Sequence, residues 1–68
     1  MFTLYFWYAW GFGRWVEQCS SKRLEDLAEK VKRRSTLTYK ITKDGKTIRF
    51  KESSYWRLGM VHPPKEAI

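Results

Sequence analysis

The chain has 68 residues, and 14 Lys and Arg against 7 Asp and Glu give it a formal charge of +7 at pH 7. A chain of this length buries only about 60% of its unfolded surface, so we predict one domain over residues 1–68 and exclude multidomain enzymes, Rossmann domains and barrel enzymes. Hydrophobic residues make up 43% of the chain and aromatic residues 18%, which is too much for a chain that stays disordered.

Residues 2–19 are predicted to form a first β-hairpin. Residues 2–10 consist mainly of strand-forming aromatic and aliphatic side chains, Gly11-Phe12-Gly13 supplies a turn, and an extended pattern resumes at Arg14. The first strand is apolar on both faces, whereas one helix covers only one face of a sheet. The sequence therefore leaves two interpretations open. The second face binds a ligand, or it is covered by the C-terminal tail or by a second copy of the chain in a homodimer.

A helix is predicted over residues 22–34. Its apolar positions recur at the i, i+3, i+4 and i+7 spacing of a single helical stripe, and they are Leu24, Leu27, Ala28 and Val31. Ser20-Ser21 precedes the helix as a candidate N-cap. Acidic residues lie near the start of the helix and basic residues near its end, which matches the helix dipole.

Residues 36–52 are predicted to form a second hairpin, with a type I′ turn at Asp44-Gly45. Apolar residues alternate with Thr, Lys and Arg on both sides of the turn. A two-residue turn fixes which residues lie opposite each other. On the core face under the helix we expect Ile41 opposite Ile48 and Tyr39 opposite Phe50. On the basic face we expect Lys40 opposite Arg49 and Thr38 opposite Lys51.

The tail, residues 53–68, is predicted to add a short strand or to pack over a sheet edge, and His62-Pro63-Pro64 ends any regular structure. Together these elements predict a small α+β domain of ββαββ order. A single amphipathic helix then packs on one face of an antiparallel sheet. The sequence does not fix the strand order.

Basic and aromatic residues together predict a binding surface on the sheet. Bases of single-stranded nucleic acid stack on aromatic rings, and phosphates attract Lys and Arg. The expected opposition of Lys40 and Arg49 is repulsive, and an anionic partner relieves it. We predict a nucleic-acid or nucleoprotein interface formed by Tyr5, Trp7, Trp15, Arg33, Arg34, Lys40, Lys43, Lys46, Arg49 and Lys51. The competing interpretation is a solvated edge hairpin whose lysines prevent aggregation.

A second hypothesis is a stoichiometric inhibitor that binds a host protein through Trp, Tyr and Arg anchors. In size and simplicity the chain is similar to small accessory proteins of phages and mobile elements, anti-CRISPR proteins among them, although no motif carries that similarity. A third hypothesis, peripheral membrane binding, has less support than these two, because the sheet requires the apolar stripe of the helix. The apolar run that ends at Gly13 is shorter than the about 20 residues that span a bilayer, so no membrane span is predicted.

No enzymatic activity, cofactor or metal site is predicted. Cys19 and His62 are the only residues of their types, and the Cys/His spacings of metal sites are missing. Gly11-Phe12-Gly13 lacks the context of a phosphate-binding loop. A single cysteine and the lack of a signal-peptide pattern predict a cytoplasmic protein.

Overall fold

Four antiparallel strands and one helix lie in the part of the chain that the computed structural model describes, residues 1–34 and 36–66. The strands form one sheet in the spatial order β2-β1-β3-β4. The predicted α+β class and ββαββ order are confirmed. The last two residues of the predicted tail, 67 and 68, lie outside the described residues. The elements are β1 (Phe2–Tyr8), β2 (Arg14–Ser21), α1 (Leu24–Lys32), β3 (Tyr39–Lys43) and β4 (Lys46–Lys51).

The main core lies between α1 and the sheet. The helix packs on β1 and β2, and Leu4, Leu27 and Ile41 are fully buried there. β1 pairs with β2 on one side and with β3 on the other. It is apolar on both faces because the helix packs on one face and the tail packs on the other. The core positions predicted on the helix and on β3 are confirmed, and they are Leu24, Leu27, Val31, Tyr39 and Ile41.

The helix begins at Leu24 and ends at Lys32, inside its predicted range. Arg23 occupies the N-cap position without a side-chain capping bond. The predicted cap at Ser20-Ser21 is therefore wrong. Ser21 lies two residues before the N-cap, where its hydroxyl accepts a hydrogen bond from the Arg23 backbone N–H at 3.1 Å and donates to the Asp26 carboxylate at 2.7 Å. Ser21 therefore links the end of β2 to the first turn of the helix.

The second hairpin has the predicted turn but a different register. Asp44 and Gly45 have φ values of 52° and 83°, as a type I′ turn requires. Beyond the turn the register shifts, so that Ile41 lies opposite Arg49. Ile48 is the extra residue of a β-bulge, which occurs preferentially at sheet edges and changes the face on which later side chains lie.

The bulge makes the four predicted hairpin pairs wrong. Lys40 lies opposite Phe50 instead of Arg49, and Tyr39 lies opposite Lys51. Ile48 is 38% exposed, and Phe50 lies on the sheet face away from the helix, with its ring centroid 6.2 Å from that of Trp15. Neither residue belongs to the core under the helix.

Residues 53–66 run as irregular chain over the sheet face opposite the helix, where they form no strand. The Trp7 indole N–H donates to the Val61 carbonyl at 2.7 Å, and the Val61 N–H donates to the Ala9 carbonyl at 2.7 Å. Farther along the sheet, the Ser53 N–H donates to the Thr38 hydroxyl at 2.9 Å. Of the interpretations that the sequence left open, the structure has the tail covering this second face.

Candidate functional site

The aromatic residues predicted to stack on bases lie beneath the tail. Trp7 is 9% exposed, and its ring meets that of Trp15 edge to face with 5.1 Å between centroids. A Cβ atom at Gly13 would overlap the Trp7 ring, so the first turn closes tightly over this ring. Tyr5 and Trp15 are half-buried. Trp7, Trp15 and Phe50 form a second small core. The Tyr5 and Trp15 rings both lie near the Lys40 ammonium.

Lys40 lies within the same covered face and is separated from the other hairpin cations. Its side chain is 16% exposed, and its Nζ lies 3.0 Å from Oε1 of Glu66, whose side chain is 19% exposed. The Thr47 hydroxyl donates to the same oxygen at 2.9 Å. The ammonium also lies 4.6 Å from the centroid of the Trp15 ring, a cation–π distance. A carboxylate of this chain thus neutralises Lys40.

We predict a pH dependence from the Lys40–Glu66 contact. The hydrogen bond from Lys40, followed by that from Thr47, lowers the pKa of the Glu66 carboxyl below its usual 4.5, against the opposing effect of burial. Because folding favours the ionised form, this contact stabilises the fold above pH 4.5 and loses its effect as pH falls through the lower pKa of the folded state.

An NMR titration of the Glu66 carboxyl carbon should therefore have its midpoint below 4.5. Lys40→Gln should move that midpoint upward, whereas Lys65→Gln, at an exposed neighbouring lysine, should leave it nearly unchanged. A midpoint that ignores the Lys40 substitution would contradict the contact.

The remaining hairpin cations collect on the other side of the sheet. Residues directly opposite in an antiparallel pair share a face. Lys43 lies opposite Phe2 of β1, and Lys46 lies opposite Lys43. Arg49 and Lys51 lie opposite the core residues Ile41 and Tyr39, respectively. All are therefore on the helix side, at the edge that the helix leaves uncovered. We call this set the hairpin stripe, and its members are Lys43, Lys46, Arg49 and Lys51.

The hairpin stripe is exposed, and within residues 1–34 and 36–66 none of its members forms an ion pair. It contains a like-charged pair directly across the strands, but that pair is Lys43 with Lys46 and not the predicted Lys40 with Arg49. Such a pair is repulsive. The repulsion that an anionic partner would relieve therefore lies beside the turn, between Lys43 and Lys46.

Arg33 and Arg34 lie apart from the hairpin stripe, where the helix ends. Together with Lys30, Gln18 and Phe6 they line a cleft of about 220 Å³. Phe6 and Gln18 were not predicted as site residues. Gln18 had no recognisable signal, because it reaches the cleft through a second bulge: Leu4 lies opposite Cys19 and Tyr5 opposite Glu17, which leaves Gln18 as the extra residue of β2.

One end of the molecule carries exposed apolar side chains, and we call it the apolar end. Phe12 in the first turn and Leu58 in the tail are fully exposed, while Trp10 and Tyr55 are about half exposed. The two segments are neighbours, because a Cβ atom at Gly59 would lie 3.4 Å from the Trp10 ring. A cleft of about 230 Å³ between them is lined in part by Trp10, Tyr55, Trp56, Arg57 and Met60.

The part of the chain that the structure describes holds neither a metal-binding cluster nor a membrane-spanning helix. No group of three His, Cys, Asp or Glu side chains is placed to hold a metal ion, and no helix is long and apolar enough to cross a membrane. In comparisons with known proteins, no protein-family model, curated protein or solved structure matches the chain.

Proposed function

We propose that this protein is a non-catalytic cytoplasmic module that binds nucleic acid, or a nucleoprotein complex that presents it, through the hairpin stripe. The observation that carries the proposal is the collection of exposed cations on one side of one hairpin, with Lys43 facing Lys46 across the turn. Folding does not require this repulsive arrangement. A row of phosphates relieves it and gains the attraction of every member of the stripe.

This proposal differs from base stacking on the sheet. Trp7 and Trp15 pack against each other, and Lys40 already pairs with Glu66, so the proposed contacts are cations on the phosphate backbone. Phosphate contacts position a protein on nucleic acid without reading its sequence. We therefore expect binding that depends strongly on salt and weakly on base sequence.

The salt dependence of binding to a single-stranded oligonucleotide tests the proposal. Each phosphate contact contributes about 0.7 to the slope of log affinity against log salt, so four cations predict a slope of roughly 3. Lys46→Ala combined with Arg49→Ala should lower that slope by about 1.4 and weaken binding. Fluorescence anisotropy with a labelled oligonucleotide measures both quantities.

The matched control is Lys22→Ala combined with Arg23→Ala, which removes the same two residue types. Both residues are exposed and follow β2, at the sheet edge opposite β4. Equal losses of oligonucleotide affinity in the two double variants would mean that binding depends only on net charge, and would overturn the hairpin stripe as the site. Absence of binding even at low salt would overturn the nucleic-acid proposal itself.

The apolar end supports a second candidate function, a stoichiometric inhibitor of a host protein. Two fully exposed apolar side chains, Phe12 and Leu58, lie beside the Trp, Tyr and Arg side chains typical of interface anchors. Tight and salt-insensitive capture of a host protein that is lost in Phe12→Ser combined with Leu58→Ser would favour this function. Loss of a concentration-dependent dimer in the same variant would instead identify the apolar end as a homodimer contact.

A further inference from the structure

A groove with one cationic half and one apolar half runs past the end of the helix. The cationic half is the cleft lined by Lys30, Arg33 and Arg34, together with Phe6 and Gln18. A second cleft of about 240 Å³ shares Phe6 and Gln18 with the first and adds the apolar half. We call the pair the terminal groove, and its apolar half is lined by Trp7, Tyr8, Val16 and Leu37.

The bulge in β2 explains why a polar side chain lies at the junction of the two halves. Regular pairing would alternate the side chains of β2 between the two faces, but Gln18 has no partner on β1, and bulges redirect side chains in this way. Its amide N–H donates to the Val16 carbonyl at 3.2 Å. The amide has a further N–H that is available to a ligand oxygen.

The cations of the terminal groove lack partners among the described residues. Lys30, Arg33 and Arg34 make no ion pair and no side-chain hydrogen bond within residues 1–34 and 36–66. The helix dipole favours basic residues near a C-terminus, but it does not require them to converge with an aromatic ring on one cleft. Three neighbouring cations match a phosphate monoester, which carries a charge of about −1.5 to −2 at pH 7, better than a singly charged diester.

We infer that the terminal groove binds the phosphorylated end of a nucleic-acid strand. The terminal phosphate lies against Lys30, Arg33 and Arg34, and the first base enters the apolar half beside Phe6 and the exposed Tyr8 ring. An apolar wall next to an anion site fits a nucleotide, which joins a charged group to a flat ring.

The sheet register connects the terminal groove to the hairpin stripe, so the inference rests on the proposed function. Phe6 lies opposite Tyr39, and Tyr39 lies opposite Lys51. Strands are spaced by about 4.8 Å, which places the Cα atoms of Phe6 and Lys51 roughly 10 Å apart. A strand whose end lies in the groove can therefore continue toward the hairpin stripe on the same side of the sheet.

Two oligonucleotides of one sequence, with and without a terminal phosphate, test the inference, and the phosphate is placed in turn at the 5′ and the 3′ end. We expect about tenfold or tighter binding of one phosphorylated form, because charge-assisted hydrogen bonds to Arg and Lys are strong. Arg33→Gln combined with Arg34→Gln should remove this preference. Arg23→Gln combined with Arg57→Gln, which removes two arginines outside the groove, should retain it.

Further variants and probes separate this inference from the proposed function. Lys46→Ala combined with Arg49→Ala should weaken binding of both oligonucleotides and leave their affinity ratio unchanged. If no oligonucleotide binds, thymidine 5′-monophosphate still probes the groove, and NMR shifts at Phe6, Gln18 and Arg33 would support it. Equal affinity for the two oligonucleotides, or no shifts with the mononucleotide, would overturn the inference. Binding of inorganic phosphate as tight as that of the mononucleotide would overturn the role of the apolar half.

Discussion

Trp7→Ala should lower the free energy of unfolding by about 3–5 kcal/mol, the usual cost of truncating a large buried aromatic side chain. Trp7 packs edge to face with Trp15, and its indole N–H holds the Val61 carbonyl of the tail. Typical domains have about 5–15 kcal/mol of stability in total, so this loss is a large fraction of what so small a domain has. Guanidinium unfolding followed by circular dichroism measures the effect.

Two variants control for the Trp7 substitution. Trp10→Ala removes a 45% exposed indole and should cost much less. Trp7→Phe keeps an aromatic ring but leaves the Val61 carbonyl without its donor, which should cost about 1–3 kcal/mol and speed hydrogen exchange at the Val61 amide. A Trp7→Ala protein with wild-type stability and weakened oligonucleotide binding would contradict the structural role and restore Trp7 as a stacking residue.

Leu27→Ala should lower the free energy of unfolding by about 2–5 kcal/mol, because it leaves a cavity in the core that the chain closes only partly. Leu27 is fully buried, and it packs with the fully buried Leu4 and Ile41. The same denaturant titration measures this loss. It should also be seen as a lower thermal midpoint with little change in the folded-state spectrum.

Leu58→Ala is the matched control for Leu27→Ala, since it deletes the same atoms from a fully exposed side chain. Its stability should stay within about 0.5 kcal/mol of the wild-type value. An unchanged melting curve for Leu27→Ala would reject the helix-side core. A large loss for Leu58→Ala would show that the apolar end is buried in solution, as in a dimer.

The aromatic residues that the tail covers and the cations of the hairpin stripe lie on different sides of the sheet. Trp7, Trp15 and Phe50 pack together in a second core on the face that the tail covers, so the proposed function does not rely on these rings for base stacking. The cations of the hairpin stripe lie on the opposite side of the sheet, away from these rings. In the terminal groove, by contrast, Phe6 and Tyr8 lie near cations.

The sequence alone determined the elements whose signals are local. The helical spacing of Leu24, Leu27 and Val31 predicted the helix and its buried side, and Asp44-Gly45 predicted the type I′ turn. Both predictions succeed because each pattern extends over a few neighbouring residues and is compatible with only one backbone geometry. The ββαββ order followed from reading these elements along the chain.

The tertiary structure decided the register of β4 and therefore the sheet face on which each hairpin cation lies. Whether a bulge at Ile48 raises or lowers the free energy of the fold depends on its neighbours across the sheet, so the alternation of apolar residues did not reveal it. The bulge places the side chains of Arg49 and Phe50 on the sheet faces opposite to those predicted. The partner of Lys40 was equally hidden, because Glu66 lies 26 residues away in the sequence. Contacts between distant segments depend on how the tail packs over the sheet, and no local pattern in the sequence records that packing.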